Sequence, residues 1–193
     1  MASVLERSAP VVAEEVAPPA WLEDVRLARG GDRRAFARLH GAFKGMVHGI
    51  VVSRVRWVEA SDLVQDVFVS ALQKLNTLED DKAFGGWLAQ LARHRASHHV
   101  RDSKEFAELD EGLPAPPSDA SAAPDARKVL AALRTLPEAY RETLAMRLIE
   151  GMTGPEIAQA TGLAPGSVRV NLHRGMAALK EKLGLPKGGS SDE

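Results

Sequence analysis

A chain of 193 residues with 45% hydrophobic content is long enough for one ordinary domain or two small ones, and apolar enough to pack a core. Aromatic residues supply only 5%, while Ala, Leu, Arg and Glu abound, a mixture that favours helices over strands. The chain has no cysteine, which excludes disulfides, thiolate zinc sites and cysteine nucleophiles, and its net charge of -1 conceals an uneven distribution.

Residues 1–20 contain Glu14, Glu15 and three prolines and lack a basic segment followed by a long apolar run. This stretch reads as a disordered lead and not as a signal peptide. From Trp21 onward the pattern is helical. Trp21, Val25, Leu27 and Ala28 share a face, and Gly30-Gly31 ends the first helix. Asp32 is the expected N-cap of a second, with Phe36, Leu39, Phe43, Met46, Val47 and Ile50 at spacings of three and four. Ser61 is expected to cap a third, in which Leu63, Val64, Val67, Phe68, Ala71, Leu72 and Leu75 form the apolar stripe. Asp62, Gln65, Asp66 and Ser70 form its other edge, which suits either solvent or a basic partner helix. The segment NTLEDDKAFGG reads as a loop. A fourth helix, WLAQLARHRASHHVR, runs to about Arg101.

The fourth helix carries Trp87, Arg93, His94, Arg95, His98, His99 and Arg101. The four-residue spacing of His94 and His98 would suit a metal, but no acid or further ligand is expected beside them. A basic helix with one aromatic is better matched to nucleic acid, with Trp87 either in the core or supporting an unstacked base. No metal and no cofactor are expected.

Residues 103–125 contain Pro114, Pro116, Pro117 and Pro124 with Ser, Ala and acids, the composition of a flexible linker. Residues 21–102 hold 13 basic and 10 acidic side chains, residues 126–187 hold 10 and 5, and the linker holds one Lys against six acids. Two basic bodies joined by an acidic strap suit a polyanionic partner. Four shorter helices are expected at about 126–135, 138–150, 154–161 and 165–183, followed by a loose tail from 186 to 193.

The strongest motif lies between Met152 and Leu183. Thr153 and Glu156 have capping-box spacing. Gly162 stands where a tight turn needs positive φ. Leu163 is expected in the angle between two helices, with Val168, Leu172 and Met176 on the buried side of the second. These are the requirements of a helix-turn-helix, whose second helix enters the major groove. Its exposed residues would be Ser167, Arg169, Val170, Asn171, His173 and Arg174. Arg and Asn pair bidentately with guanine and adenine edges.

Taken together, GGDRRAFARL, ASDLVQDVFVSALQKL, FGGWLAQLARHRASHHVR, LRTLPEAYRETLAMRLIEGMTGPEIAQATGL and APGSVRVNLHRGMAALKEKL resemble the extracytoplasmic-function sigma factors of bacterial RNA polymerase. The resemblance spans about Trp21 to Leu183 and implies an all-α chain of two small domains: sigma domain two at 21–102 and sigma domain four at 126–185. It implies a cytoplasmic transcription initiation factor without enzymatic activity. Its partners would be the polymerase core (clamp of the largest subunit, flap of the second), promoter DNA and an anti-sigma factor, with no membrane insertion. Asp62, Leu63, Val64, Gln65, Asp66 and Phe68 would match the clamp-docking helix. Trp87, Arg93, His94, His98 and Arg101 would face the minus-ten element, and the helix from Pro165 to Arg174 the minus-thirty-five element. Glu79, Asp80 and Asp81 make the loop before Trp87 more acidic than is usual in the family. The alternative is a stand-alone helix-turn-helix regulator acting on a palindrome.

Overall fold

A computed structural model describes residues 19–109 and 124–185. The lead, the tail and the linker stretch 110–123 lie outside the described residues. Among the described residues there are eight α-helices and no strand, as the composition implies.

Helix α1 spans Trp21–Arg29 and α2 spans Arg33–Val52. The Asp32 carboxylate accepts from the backbone N–H of Arg34 at 2.7 Å and of Ala35 at 3.1 Å, satisfying two donors that the first turn leaves open. Those two bonds hold the Asp32 carboxyl below its ordinary range. Helix α3 spans Trp57–Lys74, so it starts a turn before Ser61. The reason is Glu59, whose carboxylate reaches back to the Arg56 backbone N–H at 3.3 Å and to the Arg56 guanidinium. Ser61 is an exposed residue inside the helix.

Two short 3₁₀ turns, Leu75–Thr77 and Asp81–Ala83, occupy the expected loop. Helix α4 then runs from Phe84 to Leu109, longer at both ends than its periodicity suggests. No proline follows until Pro114, so nothing stops the helix at Arg101. Helices α5 (Pro124–Arg134), α6 (Glu138–Leu148), α7 (Gly154–Thr161) and α8 (Pro165–Lys182) fall close to their expected places.

Helix α2 is the hub. Leu39, Phe43, Met46, Val47 and Ile50 are fully buried, and the helix packs against α1, α3 and α4. Phe43 and Phe84 meet edge to face at 5.0 Å, and Trp21 closes on Phe43 at 5.5 Å. Two apolar residues leave the stripes predicted for them: Leu27 is 41% exposed and Leu72 50% exposed, while Leu22 is buried in their stead.

The two halves of the chain do not stand apart. Helix α2 also packs against α6 and α7, and α4 packs against α7, so one apolar cluster runs from Val25 through Phe84 to Leu144, Met146 and Ile157. Two glycines permit the approach. A Cβ on Gly49 would lie 2.9 Å from Met146 Cγ and 3.2 Å from its backbone nitrogen; one on Gly85 would lie 2.2 Å from the Ala160 carbonyl oxygen. Across the same seam His48 Nδ1 meets Glu150 Oε1 at 2.5 Å, and the Arg134 guanidinium donates to the Val55 carbonyl.

Candidate nucleic-acid interface

Helices α7 and α8 form the expected helix-turn-helix. Thr153 Oγ1 accepts from the Glu156 backbone N–H at 3.4 Å, and the Glu156 carboxylate accepts from the Thr153 N–H at 2.7 Å. These Thr153 bonds hold the Glu156 carboxyl below its usual range. Gly162 ends α7 at φ 74°, a left-handed position that costs a side-chain-bearing residue about 1 kcal/mol or more. Ile157 and Ala158 face inward, and Val168 anchors α8 at 1% exposure, with Leu172 and Met176 half-buried beside it. Leu163 is 40% exposed and does not fill the angle between the helices.

With that face fixed, the other face of α8 is set by geometry. Ser167, Arg169, Val170, His173 and Arg174 are exposed and Asn171 is half-buried. Neither Arg169 nor Arg174 has an ion-pair partner among the described residues. Unpaired guanidinium groups on an exposed helix face are available for base edges or phosphates.

Helix α4 is more varied. His94 and Arg101 are exposed. His98 Nδ1 meets the Asp102 carboxylate at 2.6 Å, so an acid does stand beside this histidine, contrary to the sequence reading. The His94 and His98 rings are 6.3 Å apart, and no cluster of three or more ligand-type residues occurs among the described residues. Trp87 is half-buried with its ring 5.9 Å from that of Phe84. Arg95 donates to Ser70 Oγ at 2.7 Å and ties α4 to α3.

Arg93 is engaged. Its Nε and Nη2 donate to the two Glu142 carboxylate oxygens at 2.9 and 2.8 Å, across the seam. The Glu142 hydrogen bonds raise its pKa above the ordinary guanidinium value. Arg54 shares that carboxylate, with Nη2 2.5 Å from Glu142 Oε1. Sequence reasoning passed over Arg54, Glu138 and Glu142, because nothing local links residues 88 and 49 positions apart.

On α3, Leu63, Val64 and Phe68, expected to contact a partner, are instead buried in the chain's own core and support the exposed edge of the helix from beneath. Asp62, Gln65 and Asp66 are exposed, and the same stripe continues through Val69 at 54% and Leu72 at 50% exposure. The apolar part of that edge was missed in sequence, although the 62-65-69-72 spacing shows it. In the acidic loop, Asp81 is held by Arg29 at 2.7 Å and Asp80 caps the Lys82 N–H at 2.9 Å. Two of the three acids are therefore tied to the fold.

A basic helix-turn-helix thus stands beside a second helical unit with a basic helix of its own. The comparisons agree. Sigma-70 region 2 matches residues 39–106, and sigma-70 region 4 matches residues 126–179. RNA polymerase sigma factor CarQ of Myxococcus xanthus is 32% identical over 166 residues, covering 81% of this chain and 93% of that protein. ECF RNA polymerase sigma factor SigW of Bacillus subtilis is 24% identical over 176 residues, covering 82% and 94%. Among solved structures, CnrH in complex with the cytosolic domain of CnrY has a TM-score of 0.55 at 23% identity, covering 86% of this chain and 98% of that one. RpoE in complex with the anti-sigma factor NepR from Bartonella quintana has a TM-score of 0.50 at 20% identity, covering 78% and 97%.

The chain belongs to the sigma-70 family, in its extracytoplasmic-function group of RNA polymerase sigma factors. Its role is transcription initiation, and the stand-alone regulator is not favoured. No helix among the described residues is long and apolar enough to cross a membrane.

Proposed function

We propose that α8 reads the minus-thirty-five element, that α4 captures the minus-ten element, and that the exposed edge of α3 docks on the clamp of the polymerase largest subunit. Region 4 rests on the flap of the second subunit. The observation that carries this reading is the outer face of α8: Arg169 and Arg174 stand free on a helix whose opposite face is locked by Val168. On α4, His94, His98 and Arg101 form one stripe toward the melted strand, with Trp87 at its start. On α3, Asp62, Gln65 and Asp66 flank the apolar pair Val69 and Leu72, a mixed edge suited to a partner helix.

The chain has no chemistry of its own in this reading and works in the cytoplasm with polymerase. An anti-sigma factor is a further partner in this reading, as RpoE is found in complex with the anti-sigma factor NepR. Run-off transcription with core polymerase and a promoter library tests the assignment. Replacing Arg169 or Arg174 by Ala removes about 1–3 kcal/mol of base discrimination at one minus-thirty-five position. Unchanged preference at every position refutes the role of α8. Val69→Glu is expected to weaken core binding and leave α8 specificity intact.

A further inference from the structure

We infer that His94 and His98 form a two-histidine site for an imidazole-preferring divalent transition-metal ion such as Cu²⁺ or Zn²⁺, with the Asp102 carboxylate holding His98 in the ligating orientation. The site stands on the geometry of α4 alone; its effect on transcription rests on the reading that α4 faces promoter DNA.

Residues four apart on a helix lie one above the other on the same face, the spacing by which a helical histidine pair grips a metal. His94, His98 and Asp102 make two such steps along α4. Spacing alone left the pair without an acid, and the structure supplies one: Asp102 Oδ2 lies 2.6 Å from His98 Nδ1. A carboxylate on one ring nitrogen is the usual companion of a ligating histidine. It fixes the tautomer and leaves the other nitrogen, here Nε2, with its lone pair free. Asp102 has no Arg or Lys partner among the described residues, so its negative charge remains available to an ion bound at His98. His94 has neither a hydrogen bond nor an ion pair among them.

The two ring centroids are 6.3 Å apart, with the planes inclined by 46°. A tetrahedral ion about 2.0–2.1 Å from each nitrogen sets the centroids about 5 Å apart, so the rings must close by about 1 Å. Both side chains are exposed, and small rotations about their own bonds bring them together without disturbing a packed neighbour. The chain has no cysteine, and of its six histidines no other two share a helix face at this spacing.

Two protein ligands leave the remaining coordination positions to water. Such an open site takes up metal reversibly when the ion is in excess; a permanent structural ion takes four protein ligands. Cu²⁺ binds nitrogen ligands more tightly than Zn²⁺ does. Closing both imidazoles on an ion withdraws them from the outward stripe that they share with Arg101. Helix α4 then loses two of its donors toward the minus-ten strand, and the ion acts as a brake on promoter opening.

The test uses the untagged full-length chain, freed of metal with EDTA. Cu²⁺ and Zn²⁺ are titrated in competition with a chromophoric chelator, and the Cu²⁺ complex is read by electron paramagnetic resonance. A single ion with hyperfine splitting from two imidazole nitrogens is expected. Asp102→Asn keeps both imidazoles and is expected to lower affinity about 10–100-fold. His94→Gln and His98→Gln are expected to lower it further and to reduce the splitting to that of one nitrogen. All three side chains are open to solvent, so circular dichroism is expected to show an unchanged fold. Three results overturn the proposal: no binding beyond that of the His94→Gln, His98→Gln double variant, an ion held equally well by both single variants, or an Asp102→Asn affinity equal to that of wild type.

Run-off transcription with core polymerase separates the site from the reading of α4. Inhibition by added Zn²⁺, taken relative to each chain's own metal-free activity, is expected at a lower concentration for wild type than for Asp102→Asn. Tighter metal binding by wild type without that difference means that α4 does not present its histidines to the promoter. Equal metal affinity in the two chains removes the site itself.

Discussion

Glu142→Gln removes one negative charge and almost no volume, and the structure sets the consequence. Glu142 receives Arg54 at 2.5 Å and Arg93 at 2.9 and 2.8 Å. With an amide there, two guanidinium groups converge on a neutral side chain, and the Arg54 side chain is only 7% exposed. Removing one partner of a buried ion pair costs about 3–5 kcal/mol, because the remaining charge stays desolvated. Glu138, 3.1 Å from Arg54 but 57% exposed, offsets part of this. The closed arrangement therefore loses about 3 kcal/mol, on the order of a hundredfold in its equilibrium. The chain has an escape that a core mutant lacks. Parting the two halves hydrates both arginines, so the loss cannot exceed the free energy of closing. In urea denaturation followed by tryptophan fluorescence and far-ultraviolet circular dichroism, the variant is expected to unfold in two steps, the α5–α8 half separating from the rest. Arg54→Gln in the same background restores part of the loss, giving a non-additive double-mutant cycle. A single transition, weakened by less than about 1 kcal/mol and additive with Arg54→Gln, refutes the reasoning.

Two further outcomes follow from local geometry. Thr153→Ala deletes the hydroxyl that caps α7 and is expected to cost about 1 kcal/mol, lowering Tm by about 2–4 °C in a chain of this size; calorimetry showing no shift would mean that Glu156 alone holds the helix start. His40 lies with its ring 4.3 Å from that of Phe68, and burial first, then Lys44, holds its pKa below the ordinary 6.5. The folded chain therefore binds fewer protons at this site than the unfolded one, so stability falls as pH descends through about 6.5 and levels off below the folded value. The difference in unfolding free energy between wild type and His40→Gln, measured from pH 8 to 5, is expected to narrow with that sign; a pH-independent difference contradicts it.

Most of the helical framework was legible in the sequence because its causes are local. Asp32 caps α2, Thr153 and Glu156 box the start of α7, and Gly162 takes the left-handed turn, each within four residues of the group it serves. The exposed residues of α8 were legible for the same reason, since fixing Val168 inside fixes Arg169 and Arg174 outside. The boundary of α3 was not, because Ser61 offered a common cap while Glu59 reached back a turn earlier. Leu27 and Leu72 were placed inside by periodicity, which marks an apolar stripe without saying where the core's edge falls.

Period, capping and charge thus determined by themselves that this chain is helical, bipartite and equipped with a DNA-reading helix. Only the tertiary structure decided that the two parts close on each other. That closure depends on two glycines thin enough for helices to touch and on one carboxylate meeting arginines 49 and 88 positions away. Neither leaves a pattern in a local window, because the energy of a buried charge is set by what surrounds it in space and not by its neighbours along the chain.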